Sequence, residues 1–280
     1  MESALYVVGT PIGNLEDLGR RAATVLAGVD RVYAEDTRHT GRLLAAAGID
    51  AELRSLHEHN EASRCSEVVD LLLGGRSAAV VSDAGTPVIS DPGSRVVRAV
   101  LAAGLPVRTV PGPSAPAAAL SVSGFPADRY LFLGFPPRSG GEREEWLARL
   151  SESRVTVVAF ESPRRVAELS ADLVRSGLGG RRCVLCRELT KLHEEVSSGT
   201  VAELAERLTG TVLRGEVTLV IEAGASPDWR ERLGDIREEA RRRIDAGDST
   251  RDAATHLQER FGMPRNEAYA LALEAGTGGA

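Results

Sequence analysis

Cysteine is scarce in this 280-residue chain, at three residues. Cys65, Cys183 and Cys186 are too few for a disulfide framework, and a reducing compartment is expected. Cys183-Val184-Leu185-Cys186 has the spacing of half a zinc site. It lies in an apolar run with no second pair, so buried thiols and no metal are expected. No apolar stretch approaches the ~20 residues of a membrane span. Met1-Glu2-Ser3-Ala4 leads straight into a strand pattern without a basic region, so the expectation is a cytoplasmic protein with no signal peptide. Phosphate-binding signatures are also missing. There is no Gly-Lys-Ser/Thr loop end and no Gly-x-Gly-x-x-Gly, which disfavours nucleoside triphosphates and a Rossmann-bound dinucleotide. Aromatic residues make up 4% of the chain, and Lys191 is its single lysine. A net charge of −6 excludes a surface coated in base, though not a local basic groove.

What is present is an alternation of strand and helix patterns. Apolar runs at 5–8, 31–34, 52–56, 78–81 and 107–110 have strand length, with amphipathic stretches between them. Gly48, Gly74 and Gly104 sit at helix C-cap positions. This order implies an α/β fold with a mostly parallel sheet covered on both faces. Ser123-Gly124-Phe125-Pro126 is the best boundary. A second α/β segment follows, with strands near 130–134, 155–160, 182–187 and 217–221 and helices near 143–150, 165–175 and 201–208. Beyond about Asp235 the pattern is helical. Ser249-Thr250-Arg251-Asp252 resembles a capping box, Ala253, Ala254, Leu257 and Phe261 form an apolar stripe, and 262–266 is a turn. The expected division is 1–124, 125–230 and a helical tail at 231–280, either a helix-turn-helix-like hairpin or a plain structural one.

The polar motifs fall at the carboxyl ends of strands, where open α/β sheets bind ligands. Gly9-Thr10-Pro11-Ile12-Gly13-Asn14-Leu15 follows the first strand. Ala34-Glu35-Asp36-Thr37-Arg38-His39-Thr40 follows the second, with capping an equal explanation for Asp36 and Thr37. Ser82-Asp83-Ala84-Gly85-Thr86-Pro87-Val88-Ile89-Ser90-Asp91-Pro92-Gly93 and Pro111-Gly112-Pro113-Ser114-Ala115 follow the fourth and fifth. Gly85 and Gly112 let backbone approach a ligand, and the prolines stiffen the loops, lowering the entropy lost on binding. Phe160-Glu161-Ser162-Pro163-Arg164 and Arg187-Glu188-Leu189-Thr190-Lys191 place charges after later strands, which a salt-bridged surface would also explain. His57-Glu58-His59 has no third partner in view.

Taken together and in this order, these motifs resemble the tetrapyrrole methylase superfamily, the class III S-adenosylmethionine methyltransferases, and within it a branch acting on small-subunit ribosomal RNA. The resemblance covers residue 4 to about 222. It implies two αβα domains with a small helical hairpin, a homodimer, S-adenosylmethionine as methyl donor, and methylation of a cytidine ribose 2′-oxygen in the decoding centre of 16S ribosomal RNA or the assembled small subunit. It assigns Pro11, Ile12, Asp83, Gly85, Thr86, Ile89, Ser114, Ala115 and Phe160 to the donor. Arg38, Glu161, Arg164, Glu188 and Lys191 fall to the RNA side, with Lys191 the first candidate for catalysis, Glu188 or Glu161 the second, and Arg38 also in view. Two other readings stand beside this one. One is a methylase of the same fold acting on a tetrapyrrole, which the low aromatic content and the added tail disfavour. The other is a nucleotide-binding module without catalysis.

Overall fold

A computed structural model describes residues 1–57, 59–224 and 229–277. Met1–Glu222 form one compact unit and Ala223–Ala280 another. The first unit opens with β1 (Leu5–Val8), α1 (Arg20–Gly28), β2 (Arg31–Ala34), α2 (Thr37–Ala46), β3 (Leu53–Ser55), α3 (Glu61–Leu73), β4 (Ala78–Val81), α4 (Ser94–Ala102), β5 (Val107–Val110) and α5 (Ala115–Ser123). The five strands form a parallel sheet in the order β3-β2-β4-β1-β5. Strand side chains alternate between its faces. Tyr6, Val8, Val32, Ala34, Ala79 and Val81 pack with Ala22, Val25 and Leu26 of α1 and Leu44 of α2. Leu5, Tyr33, Ala78 and Val80 pack on the other face with Val68 and Leu72 of α3 and Val96 and Val100 of α4. The chain therefore leaves the adjacent strands β1 and β4 toward opposite faces, and the crevice at their carboxyl ends is the topological switch point.

The second sheet comprises β6 (Tyr130–Phe132), β7 (Thr156–Glu161), β8 (Arg182–Arg187), β9 (Glu195–Thr200) and β10 (Val217–Ile221), in the order β6-β7-β10-β8-β9. It is mixed rather than parallel, since only β6 and β7 pair in parallel, while β10 pairs antiparallel with both β7 and β8 and β8 with β9. Helices α6 (Gly141–Glu152), α7 (Val166–Leu173) and α8 (Val201–Leu208) cover one face through Trp146, Leu150, Leu169, Leu173, Val201 and Leu204. Helix α8 starts on a full capping box between Thr200 and Glu203. On the other face Val158, Val184 and Val220 pack against Ala119 and Leu120 of α5 and against Ile12 from the first sheet's loop. That shared core ties the two sheets together.

The Ala223–Ala280 unit contains α9 (Leu233–Asp245), α10 (Thr250–Phe261) and α11 (Arg265–Thr277). They close on Ile236, Ala240, Ala253, Leu257, Met263, Ala268 and Leu271, so the tail is a three-helix bundle. Ser249 caps α10, accepting the Asp252 N–H at 3.1 Å. Glu239 is buried and accepts hydrogen bonds from Arg260 at 3.0 Å and Arg242, with His256 2.9 Å away.

Candidate functional site

Three loops at the switch point are laced into one rigid wall. The Thr10 N–H donates to the Gly85 carbonyl at 2.8 Å, and the Gly85 N–H returns a bond to the Thr10 carbonyl at 3.2 Å. The buried Thr10 hydroxyl donates to the Ser82 carbonyl at 3.1 Å, and the Thr86 hydroxyl to the Pro113 carbonyl at 3.2 Å. Gly9 and Gly112 cross so closely that a Cβ on Gly9 would stand 2.8 Å from the Gly112 Cα. Only glycine fits at that crossing. Val88 and Ser90 hold φ of 77° and 65°, conformations that cost side-chain-bearing residues about 1–3 kcal/mol and concentrate at ligand sites. The loop's exit is pinned by the buried Glu61 carboxylate, which accepts the Gly93 and Arg95 N–H groups at 2.9 and 2.8 Å and so serves the free amides starting α4.

These loops enclose a cavity of about 390 Å³ lined by Ile12, Asp83, Gly85, Thr86, Ile89, Asp91, Ser114, Ala115, Phe135, Phe160, Glu161 and Glu216, among others. Its lining holds four carboxylates and no lysine, arginine or histidine. Burial, helped by the charge of Asp83, pushes the Asp91 carboxyl up to about 6, against a hydrogen bond from Ser82. Burial likewise lifts Glu161, opposed by the Ser162 N–H and Arg165. One Glu161 oxygen accepts the Ser162 N–H at 2.7 Å. The other is buried without a hydrogen bond, 3.7 Å from the Arg165 guanidinium. Phe160 packs edge-on to Phe132, with centroids 4.9 Å apart, and tilted against the exposed Phe135 at 5.3 Å.

A second cavity of about 300 Å³ adjoins the first and is lined by Pro11, Ile12, Gly13, Leu15, His39, Arg42, Leu43, Asp83, Ala84, Lys191 and Glu216. The two share Ile12, Asp83, Ala84 and Glu216. Lys191 reaches this partition from the turn after β8. Its ammonium donates to Glu188 Oε1 at 2.7 Å and to Glu216 Oε2 at 3.1 Å. Burial lowers its pKa, but the two carboxylates outweigh burial and hold it above the ordinary lysine value. The ammonium in turn holds Glu188 below the usual carboxylate range despite burial. Glu188 Oε1 also accepts the Glu216 N–H at 2.9 Å. The turn is strained, with φ of 53° at Glu188 and 67° at Thr190. Two glycines make room for the pair. A Cβ on Gly13 would meet Lys191 Cγ at 2.3 Å, and one on Gly215 would meet Glu188 Oε1 at 2.2 Å.

Of the fourteen residues singled out for the site, Ile12, Asp83, Gly85, Thr86, Ile89, Ser114, Ala115, Phe160 and Glu161 line the first cavity. Pro11 lines the second instead, together with Lys191. Glu188 stands behind Lys191, lining neither. Arg38 stands apart from both cavities. Its side chain is 85% exposed, lines neither cavity, and bonds Asp36 at 2.9 Å. The Asp36 carboxylate that holds it also caps α2 through the Arg38 N–H. Arg164 is exposed and lines neither cavity either. His57 and His59 are outside both linings, and Glu58 lies outside the described residues. Cys183 and Cys186 are free and buried, with pKa values pushed up to about 11 by burial. Among the described residues no cluster of His, Cys, Asp or Glu is arranged to hold a metal. The sequence reading held His39 within its motif without assigning it to the site, and missed Asp91, Phe135, Arg42 and Glu216.

Residues 4–205 match the family model of the Tetrapyrrole (Corrin/Porphyrin) Methylases. Proteins named Ribosomal RNA small subunit methyltransferase I match nearly the whole chain. One from Mycobacterium tuberculosis is 44% identical, covering 92% of this chain and 90% of its own length. One from Pseudomonas aeruginosa is 41% identical over 96% of both. The chain is a tetrapyrrole methylase of the ribosomal RNA small subunit methyltransferase I group. It is thus a methyltransferase. The fold agrees with solved structures of the tetrapyrrole methylases. A cobalt precorrin-4 methyltransferase superposes with a TM-score of 0.60 at 17% identity, covering 79% of this chain and 95% of that one. A uroporphyrin-III C-methyltransferase from Thermus thermophilus, complexed with S-adenyl homocysteine, superposes with 0.55 at 21%, covering 78% and 97%. The described residues include no helix long and apolar enough to cross a membrane.

Proposed function

We propose that this methyltransferase modifies the ribose 2′-oxygen of a cytidine in the decoding centre of small-subunit ribosomal RNA, with S-adenosylmethionine in the first cavity. The observation that carries this is the pair of adjoining cavities with one shared wall. The first cavity has four carboxylates and no cationic side chain, which suits a ligand bearing a sulfonium and an ammonium and opposes phosphorylated nucleotides. When bound, S-adenosylmethionine supplies a methyl group already activated on cationic sulfur. Ile12, Gly85, Thr86, Ile89, Ser114, Ala115 and Phe160 hold its neutral parts, while Asp83, Asp91 and Glu161 face its sulfonium and ammonium.

What remains for the protein is alignment and help for a weakly acidic hydroxyl. Lys191 is held as an ammonium by Glu188 and Glu216, so it works as a fixed cation beside the forming alkoxide rather than as a base. Asp83 and Glu216 face both cavities and are placed to take the hydroxyl proton. Glu188 is a positioning residue. We assign donor binding to 1–124 with 125–230 completing the cleft, RNA docking to the tail at 231–280, and a homodimer in the cytoplasm to the working enzyme.

Calorimetry with S-adenosylmethionine and with ATP tests the donor assignment. Binding of the first and not the second is expected, and tight ATP binding without donor binding would overturn it. Lys191→Ala should keep donor binding and lose transfer to small subunits; unchanged turnover would remove Lys191 from catalysis.

A further inference from the structure

The two cavities differ in the charge they present. The first is lined only by acids among its ionisable groups, whereas the second gathers three basic side chains, His39, Arg42 and Lys191, around the same partition. Lys191 is committed to Glu188 and Glu216. His39 and Arg42 are exposed, and no ion pair or hydrogen bond of their side chains occurs among the described residues. They stand with Leu43 at i, i+3 and i+4 on one face of α2, the spacing that puts helical side chains side by side. Opposite them Pro11, Ile12 and Leu15 give an apolar surface. Leu15 is 57% exposed, a large apolar side chain left open at the mouth.

We propose that this second cavity is the acceptor subsite, taking one unpaired nucleotide of the RNA, with Arg42 and His39 on its flanking phosphates and its ribose against the wall at Asp83 and Glu216. Its volume, about 300 Å³, lies at the small end of ligand sites, which run from roughly 300 to 1,000 Å³. That suits a single nucleotide better than a macrocycle. A base lifted out of its stack is the ordinary way for an enzyme to reach a nucleotide within folded nucleic acid. Pro11 and Leu15 then offer it an apolar surface. Arg42 and His39 fix register on the chain without reading sequence. Placing the donor among carboxylates and the acceptor's phosphates among bases on opposite sides of one wall sorts the two substrates by charge before they meet.

This rests on the ribosomal RNA reading above, and the experiment separates the two. Undermethylated small subunits are titrated against wild type, Arg42→Ala, Arg42→Lys and His39→Ala at several salt concentrations, with donor affinity measured in parallel. Arg42 has an exposed, unpartnered side chain on a helix, so alanine is well tolerated there. The expected result is a KM for small subunits raised roughly tenfold or more in Arg42→Ala, with the salt dependence of log affinity reduced by about 1. His39→Ala should raise KM several-fold, Arg42→Lys should restore most of the loss, and donor affinity should not move. If wild type methylates small subunits and Arg42→Ala does so with the same KM and salt slope, the subsite is wrong and the function stands. If wild type leaves small subunits unmethylated, the functional reading itself has failed.

Discussion

Gly13→Ala isolates the role of Lys191 without touching its charge. The added Cβ would lie 2.3 Å from Lys191 Cγ, 2.9 Å from Cε and 3.1 Å from Cδ. Contact between carbons is comfortable at about 3.6 Å, so the middle of the lysine stem must retreat by about 1.3 Å. Gly13 itself does not have a positive φ, and alanine suits its backbone. The cost therefore falls on the lysine. Its hydrogen bonds at 2.7 Å to Glu188 and 3.1 Å to Glu216 cannot both survive such a shift within the ~3.2 Å range of good geometry. The side chain is about a quarter exposed, so overall stability should change by no more than about 1 kcal/mol. Removing a preorganised group that stabilises developing negative charge costs about 100- to 1,000-fold in kcat, the expectation for Lys191→Met. A displaced but intact ammonium should cost about 10- to 100-fold. Single-turnover methylation of small subunits, with donor affinity by calorimetry, measures both. The decisive arm is the double variant, because effects through one group do not add. Gly13→Ala should cost nothing further once Lys191 is methionine. Wild-type kcat in Gly13→Ala, or an equal loss in the methionine background, would show that Gly13 does not act through Lys191.

Other expectations follow from the same geometry. Asp91, with its carboxyl raised to about 6, destabilises the fold once ionised: the stability its neutral form contributes is complete below the ordinary carboxylate pKa and lost as pH rises through about 6. Asp91→Asn should therefore stabilise the protein by about 1 kcal/mol at pH 7.5, solvent screening reducing what full burial would give, with no gain at pH 4, as thermal melts would show. It should also weaken donor binding, and wild-type donor affinity should fall as pH drops below about 6. Arg38→Ala should leave kcat within about twofold, because its side chain lines neither cavity and pairs with Asp36; a loss of ten-fold or more on small subunits would return Arg38 to the site. Gly9→Ala should abolish donor binding, since its Cβ would strike Gly112 backbone at 2.8 Å; calorimetry with S-adenosylmethionine checks it. A chain ending at Glu222 should keep donor affinity, since Met1–Glu222 is a compact unit, and lose affinity for small subunits; full activity would make the tail structural only.

The first sheet was legible because its strands alternate apolar residues into two buried faces, and Leu5, Tyr6, Val32 and Tyr33 announce that pattern locally. Strand β9 was not, because Glu195–Thr200 reads EVSSGT and a polar edge strand carries little periodicity. The helix expected over 165–175 instead stops at Leu173 and passes into a wide turn where Gly177 takes φ of 79°. The loops that line the cavities were legible as strand-end motifs rich in glycine and proline. Asp91 lay inside one of them and was overlooked, since its burial depends on the folded loop. On α2 the motif ended at Thr40 and so held His39, whereas helical period carries that face one turn further, to Arg42 and Leu43. Glu216 had no local signal at all. It precedes an apolar strand, and only the pairing of β10 with β8 brings it to Lys191.

Incubating the protein with S-adenosylmethionine labelled in its methyl group and small ribosomal subunits lacking the modification, then mapping the labelled nucleotide, identifies donor, substrate and target atom in one measurement. Label is expected on the ribose 2′-oxygen of a single cytidine in the decoding centre, and its loss in Lys191→Ala. Label on a base or at a distant nucleotide, or transfer to a tetrapyrrole and none to RNA, would contradict the proposed function.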